Sequence, residues 1–97
     1  MDDELALGRA TDIFRALSNP LRVAIVRELA HGDRDVSALV EALDVAQPRI
    51  SEHLAILRAA NLVLGQREGR HVRYHLVDEH VAHIVEDAVL HAAEPAG

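Results

Sequence analysis

The sequence predicts a mainly α-helical domain with one β-hairpin, an α+β fold of the winged helix-turn-helix type. Three observations lead to this fold. Apolar residues recur at intervals of three and four over most of the chain, which is the period of a helix that faces a core. A short helix, a tight turn and a second helix follow one another over residues 37–60. Residues 71–76 then alternate between apolar and polar, which is the period of a strand.

The first helix is expected over residues 2–17, capped by Asp2 or Asp3. Its apolar positions are Leu5, Ile13, Phe14 and Leu17. A chain of 97 residues makes one domain, residues 1–97, with a modest core. Such a core does not easily cover both this helix and a second apolar helix at residues 78–94. We therefore expect the two terminal helices to pack across a homodimer; the alternative is that both cover the core of a monomer.

A break and a restart follow the first helix. Asn19 is a favourable cap, and Pro20 suits the first helical position, where a missing N–H costs nothing. This second helix is expected to reach residue 30, and Asp35 to cap a third helix that ends at residue 43. After a turn at residues 44–46, the fourth helix is expected over residues 47–60. The residues predicted to face the core from these helices are Leu21, Ala24, Ile25, Leu29, Leu39, Val40, Leu43, Ile50, Leu54 and Leu57.

Two short strands, residues 62–67 and 71–76, are expected to form the wing around a turn at Glu68-Gly69-Arg70. In a winged helix, the fourth helix enters the major groove of DNA while the wing reaches the phosphates or a neighbouring groove. Arg67, Arg70 and Arg73 of the wing are therefore expected to contact phosphates, the alternative being ordinary solvated charges. Arg49, at the start of the fourth helix, is expected to be a phosphate clamp or a guanine contact.

The charge distribution agrees with a DNA-facing middle. The net charge is −6, but residues 46–75 contain five arginines and two glutamates, a net +3, so that the rest of the chain carries −9. The chain has no cysteine, which excludes disulfides and thiolate metal ligands. It has no apolar run of membrane-spanning length, and its acidic beginning is unlike a signal peptide. We expect a cytoplasmic protein without a membrane partner.

The C-terminal helix combines an apolar stripe with four candidate metal ligands. Asp78, His80, His91 and Glu94 lie beside the stripe. The two histidines are separated by about three turns and a rise of roughly 16 Å, which is too far for one helix to bind a single ion with both. In an antiparallel pair of these helices, Asp78 and His80 of one subunit would meet His91 and Glu94 of the partner subunit. Four nitrogen and oxygen ligands suit zinc. The alternative to a metal site is a solvated charged face on which Asp78 is only a helix cap. His83 is either a further ligand or an exposed residue.

Four motifs in this order resemble the ArsR/SmtB family of metal-responsive bacterial transcriptional repressors. They are Ala16-Leu17-Ser18-Asn19-Pro20-Leu21-Arg22; Ile50-Ser51-Glu52-His53-Leu54 with Leu57-Arg58; Arg67-Glu68-Gly69-Arg70 with Tyr74; and the D-x-H…H-x-x-E set of the last helix. The resemblance implies a winged-helix dimer that binds operator DNA without metal and leaves it when zinc binds. It also implies that Gln47, Pro48, Ser51 and Glu52 face DNA, and that bound His91 reaches the main-chain carbonyl of Asn61.

Two departures from the family pattern show which family features this chain lacks. Asp35 and Ser37 stand where the family's thiolate site would be, so that site is absent. Ala46 stands where a Ser or Thr cap is usual. Zinc is the expected metal, with nickel or cobalt as the alternative; a second alternative is a winged-helix regulator with no functional metal site. No enzyme motif such as H-E-x-x-H is present, so we expect neither catalysis nor a small-molecule substrate.

Overall fold

The computed structural model describes residues 2–96 and confirms the predicted order of elements. In those residues it contains helices α1 (Asp3–Ala16), α2 (Pro20–Ala30), α3 (Val36–Leu43), α4 (Gln47–Ala59) and α5 (Glu79–Ala93), with strands β1 (Val63–Glu68) and β2 (His71–Leu76) between α4 and α5. None of these helices has the length and apolarity needed to cross a membrane.

Side-chain caps determine where four of the five helices begin. Asp2, Asn19, Asp35 and Asp78 each accept a hydrogen bond from a backbone N–H in the first turn of the following helix. These bonds satisfy donors that a helix start otherwise leaves unpaired. The exception is α4, where Ala46 has the extended backbone of a cap but no side chain that could accept. The departure noted at Ala46 therefore leaves the start of α4 without this stabilisation.

The core lies around α2, which contacts α3, α4, α5 and β2. Most of the predicted inward positions are buried or half-buried, and the core also takes in residues that the periodicity did not single out, Ala16, Val26, Leu62 and Val63. The buried residues of α5 are Val81 and Val85, which lie on the predicted stripe. Burial of this stripe holds α5 against α2.

The hairpin is antiparallel, with Val63 opposite Leu76 and Glu68 opposite His71. Gly69 and Arg70 form a two-residue loop in which Gly69 takes a positive φ of 61°. The segment between α2 and α3 joins this sheet. The backbone N–H of Arg34 donates to the carbonyl of Tyr74 at 3.1 Å, and the N–H of Tyr74 donates to the carbonyl of Arg34 at 2.8 Å. The wing is therefore attached to the helical body by backbone hydrogen bonds.

Helix α1 exposes most of its apolar residues. Leu5, Leu7 and Phe14 are 51%, 68% and 61% exposed, and Ala16 is the one residue of this helix that is buried. Leu5 and Phe14 were expected on the apolar face of this helix. Within residues 2–96 of a single chain, no other element packs over these two side chains. Leu90 of α5 is likewise 62% exposed.

Candidate nucleic-acid interface and metal ligands

Helix α4 presents one face to the core and a polar face to solvent. Ile50, Leu54 and Leu57 are buried, and their spacing places them on one side of the helix. The opposite side carries the residues predicted to face DNA. Gln47, Pro48, Arg49 and Glu52 are exposed, whereas Ser51 is half-buried.

Two of these residues bond to each other. The side-chain amide of Gln47 donates to the hydroxyl of Ser51 at 2.8 Å, one turn further along α4. This bond uses one of the two amide hydrogens of Gln47. The second amide hydrogen remains a donor, and the side-chain carbonyl oxygen remains an acceptor. An amide with one donor and one acceptor left can bind an adenine edge in the major groove.

The wing arginines do not share one face. Arg67 lies opposite Val72 and Arg73 lies opposite Gln66 in the hairpin register. Because successive side chains in a strand leave opposite faces of the sheet, Arg67 and Arg73 project from different sides, and Arg70 lies at the loop between them. Within residues 2–96, Arg49, Arg67 and Arg70 form no ion pair, so these guanidinium groups are available to phosphates.

Arg73 is the exception among the predicted DNA contacts. Its Nε donates to Oε2 of Glu68 across the hairpin at 3.0 Å. This hydrogen bond, together with the charge of Glu68, raises the pKa of Arg73 above its ordinary value. The guanidinium is half-exposed, but Glu68 competes with a phosphate for it.

Sequence periodicity did not reveal one contact at the edge of α4. Arg22 of α2 donates from Nε to the carbonyl of Ala16, and its Nη1 lies 3.1 Å from Nδ1 of His53. Arg22 and His53 are both half-buried, so these contacts belong to the packing between α2, α4 and the end of α1. Since the partners lie 6 and 31 positions away along the chain, no local pattern could have paired them.

The four predicted metal ligands are all exposed and lie at the two ends of α5. Asp78 caps the helix with Oδ1, which accepts from the N–H of Val81 at 3.3 Å, so both roles considered for Asp78 are compatible: Oδ2 is not used by the cap. Glu94 follows the last turn, and His91 lies within it. Within residues 2–96 no three His, Asp or Glu side chains come close enough together to hold a metal ion. His83 is exposed on the same helix and is brought to no such group.

The first two ligands line a cleft of about 620 Å³ between α1, the end of α4 and the start of α5. Asp78 and His80 lie on one wall, Arg9 and Asp12 on α1, and Asn61 at the end of α4. Asn61 takes a positive φ of 62° just beyond α4. The N–H of Asn61 bonds to Arg58 and that of Leu62 to Leu57, which is the Schellman motif that ends a helix. The turn that ends α4 therefore lies in the same cleft as one half of the predicted ligand set.

An apolar cleft of about 200 Å³ separates α1 from α5 on the adjoining side. Its lining residues are Phe14, Leu17, Val23, Ile84, Val85 and Ala88. Ile84 follows His80 by one helical turn, so this apolar surface continues into the predicted ligands. The exposed apolar residues of α1 and the ligand-bearing side of α5 thus border the same part of the molecule.

Sequence comparison identifies a family for most of the helical body. The family described as "Bacterial regulatory protein, arsR family" matches residues 19–64, which span the helix-turn-helix. Over 90 residues the chain is 53% identical to the HTH-type transcriptional repressor SmtB of Mycobacterium tuberculosis, covering 93% of this chain and 67% of that protein. It is 40% identical over 96 residues to the HTH-type transcriptional regulator KmtR of the same organism, covering 99% of this chain and 72% of that one.

Solved structures agree with this result. The chain superposes with a TM-score of 0.83 on the homodimeric winged helix-turn-helix DNA-binding domain of a protein from Mycobacterium bovis, described as a possible ArsR-family transcriptional regulator. The match has 30% sequence identity and covers 95% of this chain and 87% of that one. These relatives are transcription regulators rather than enzymes.

Proposed function

The chain belongs to the arsR family of bacterial regulatory proteins, and on that premise we propose that it is a transcriptional repressor whose homodimer binds operator DNA and responds to a metal ion. Its function is regulation, not catalysis. A repressor acts on the chromosome, so its place of action is the cytoplasm.

The unpaired apolar surface of α1 and α5 supports the homodimer. Leu7, Phe14 and Leu90 are each more than half exposed in one chain, and the cleft between α1 and α5 is lined by apolar side chains. Apolar surface of this kind on a small domain is stabilised by burial against a partner. A second copy is the natural partner, because the related domain from Mycobacterium bovis is homodimeric.

The exposed face of α4 and the unpaired wing arginines support the DNA contacts. Gln47, Pro48, Ser51 and Glu52 would face the base edges, with Arg49 at the margin of that face. Arg67 and Arg70 would neutralise phosphates on either side, and Arg73 would do so in competition with Glu68. Two copies of α4 related by a two-fold axis would contact two half-sites of one operator.

The donor set of α5 fits an N/O metal site that two subunits share. Asp78 and His80 would supply a carboxylate and an imidazole, and His91 and Glu94 of the partner subunit a second pair. All four are exposed, and Asp78 keeps one oxygen outside its cap. Two-fold symmetry generates two such sites per dimer. When bound, the metal would link the C-terminal helices of the two subunits.

A route from α5 to the DNA-binding face runs through the core. Val81 and Val85 of α5 are buried, and Glu86 pairs with Arg27 of α2 at 3.3 Å. Helix α2 in turn contacts α4. A rearrangement of the two α5 helices is therefore carried by packed elements to the spacing of the two α4 helices. The metal-bound dimer then releases the operator if that spacing no longer suits the DNA. Because linkage is reciprocal, operator binding must weaken metal binding by the same factor by which the metal weakens operator binding.

Zinc is the metal that we propose. Two imidazole nitrogens and two carboxylate oxygens complete a tetrahedron, and no thiolate is available to favour a softer ion. Nickel or cobalt would need further donors, of which His83 is the nearest in sequence. The remaining alternative, a regulator without a functional metal site, is separated by experiment.

The test begins with selection of a duplex from a random-sequence library by the purified chain. Zinc, nickel and cobalt are then titrated in turn into the complex with the selected duplex. We expect zinc to dissociate the complex at the lowest concentration, and His91→Ala to abolish the response while duplex binding is retained. His83→Ala is the matched control and should respond as the unchanged chain does. Failure to select any duplex would refute the repressor, and an unchanged response in the His91→Ala variant would refute the metal site.

A further inference from the structure

We propose that Arg22 is a positioning residue. It donates hydrogen bonds to the last residue of α1 and to His53 of α4, and so holds α4 against the end of α1. The proposal rests on the proposed function, since the helix it positions is the one assigned to the operator. Its basis is a pair of contacts between different elements, outside the predicted metal and DNA residues. Nε of Arg22 donates to the carbonyl of Ala16, and Nη1 lies 3.1 Å from Nδ1 of His53.

The location of Arg22 is unfavourable for a cation, which indicates that its contacts matter. Arg22 lies in the first turn of α2, three residues after the cap Asn19, and that turn contains no acidic residue. The positive end of the helix dipole repels a guanidinium there. Since Arg22 is also half-buried, the cost must be offset by its two acceptors, Ala16 and His53. A residue that breaks a local preference but bonds to two other elements is typical of a positioning role.

The contact with Arg22 determines the tautomer of His53. A guanidinium has donors only, so Nδ1 of His53 must be the acceptor, and the ring proton lies on Nε2. The orientation of the half-buried imidazole is then fixed, and with it the edge of α4 between the core residues and the exposed face. A lysine in place of Arg22 would keep the charge but lacks the planar fork that reaches two acceptors at once.

The same side chain connects α4 to the helix that we assign to the dimer interface. Ala16 is the last residue of α1 and its one buried residue. Arg22 therefore joins the carbonyl end of α1 directly to α4, without passing through α5. The bonds of Arg22 therefore fix the position of α4 in addition to its core packing. That position depends on where α1 lies.

Operator binding distinguishes positioning from a phosphate contact. With the selected duplex, we expect Arg22→Lys to weaken binding about tenfold, the effect of losing one charge-assisted hydrogen bond. The dependence of log Kd on log salt should not change, whereas loss of a phosphate contact would reduce its slope by about one per subunit. Unchanged affinity in the Arg22→Lys variant, or a reduced slope, would overturn the positioning role.

Variants of His53 test the partner. His53→Asn keeps an acceptor near the position of Nδ1 and should bind the duplex within about threefold of the unchanged chain. His53→Leu keeps the bulk but has no acceptor, and should bind about tenfold more weakly. In the His53→Leu background, Arg22→Lys should cost less than it does alone, because the two residues act together. Equal losses in the Asn and Leu variants, or additive losses in the double variant, would contradict the proposal.

Two measurements on the DNA-free chain keep the outcome separate from that of the proposed function. A long-range ¹H–¹⁵N spectrum of the histidine rings should give His53 an unprotonated Nδ1 and a protonated Nε2. Hydrogen exchange should be faster in α4 of the Arg22→Lys variant than in the unchanged chain, with α3 unaffected. The opposite tautomer, or unchanged exchange in α4, would overturn the proposal even if the repressor is correct. A chain that selects no duplex but gives both expected results would refute the repressor alone.

Discussion

Gly65 lies directly opposite Tyr74 in the hairpin, and a Cβ built on Gly65 would lie 3.1 Å from Cε1 of Tyr74 and 3.0 Å from Cγ1 of Val72. The position of Tyr74 is held, since its backbone also bonds to Arg34. We expect Gly65→Ala to lower the free energy of unfolding by about 1 kcal/mol, because the overpacking outweighs the gain from removing a glycine. Thermal unfolding measures this change.

Gly8→Ala is the matched control for Gly65→Ala. Gly8 lies within α1, and nothing lies within 4 Å of a Cβ placed there. The substitution should raise the free energy of unfolding by about 1 kcal/mol through helix propensity alone. If both alanine variants are stabilised, the contact with Tyr74 does not restrict residue 65.

A side-chain cap on α4 should stabilise the chain. Ala46 has φ −60° and ψ 143°, the extended backbone of a cap residue, but offers no acceptor. We expect Ala46→Ser to raise the free energy of unfolding by about 1 kcal/mol, because the hydroxyl can accept from a first-turn N–H. Chemical denaturation with a constant m value measures it. Ala42→Ser, inside α3, is the control and should destabilise slightly; equal effects of the two serines would argue against capping.

Release of Arg73 from Glu68 should strengthen DNA binding. Glu68→Gln removes a negative charge from the wing and the ion pair at 3.0 Å, so that Arg73 becomes available to a phosphate. We expect a few-fold higher affinity for the selected duplex and a salt slope steeper by about one per subunit. Glu4→Gln, on the first turn of α1, removes the same charge outside the wing and should leave the slope unchanged. A slope that does not respond to Glu68→Gln would place Arg73 away from the DNA.

Mixing of two defective variants tests whether the metal site is shared. His80→Ala and His91→Ala homodimers should each lose zinc binding, since each of their sites lacks one imidazole. A heterodimer of the two variants recovers one intact site, formed by His80 from one subunit and His91 from the other. Calorimetry on the mixture, after unfolding and refolding together, should therefore restore zinc binding to one site per heterodimer. Ligands that all belonged to one subunit would give no recovery on mixing.

Local signals were sufficient for the order of the elements and for the helix caps, whereas the first strand begins one residue later than expected and takes in Glu68, which was expected in the turn. Asn19 and Asp35 cap the helices that they were predicted to cap, because a cap depends on residues two or three positions away. The change of apolar period after α4 predicted the hairpin, whose second strand is placed at His71–Leu76 as expected. The four-motif resemblance to the family is likewise a property of sequence, and the relatives confirm it.

Contacts between distant residues were not predictable. The pairing of Arg34 with Tyr74 makes the segment between α2 and α3 part of the sheet, and it joins residues 40 positions apart. The bond of Arg22 to His53 and the pairing of Arg73 with Glu68 depend on how helices and strands pack or register. Exposure of Leu5 and Phe14 also depends on the whole fold, since the helix pattern alone does not say which chain covers an apolar face.

The sequence by itself determined the elements, the caps and the family, and it supplied the candidate donors on α5, because each of these follows from residue types at short spacing. Tertiary structure alone decided which cations are paired, which faces of the wing the arginines occupy, and which apolar residues of α1 a single chain leaves exposed. The physical reason is range: periodicity and capping act within a few residues, whereas ion pairs, burial and metal coordination depend on distances between groups that only packing brings together.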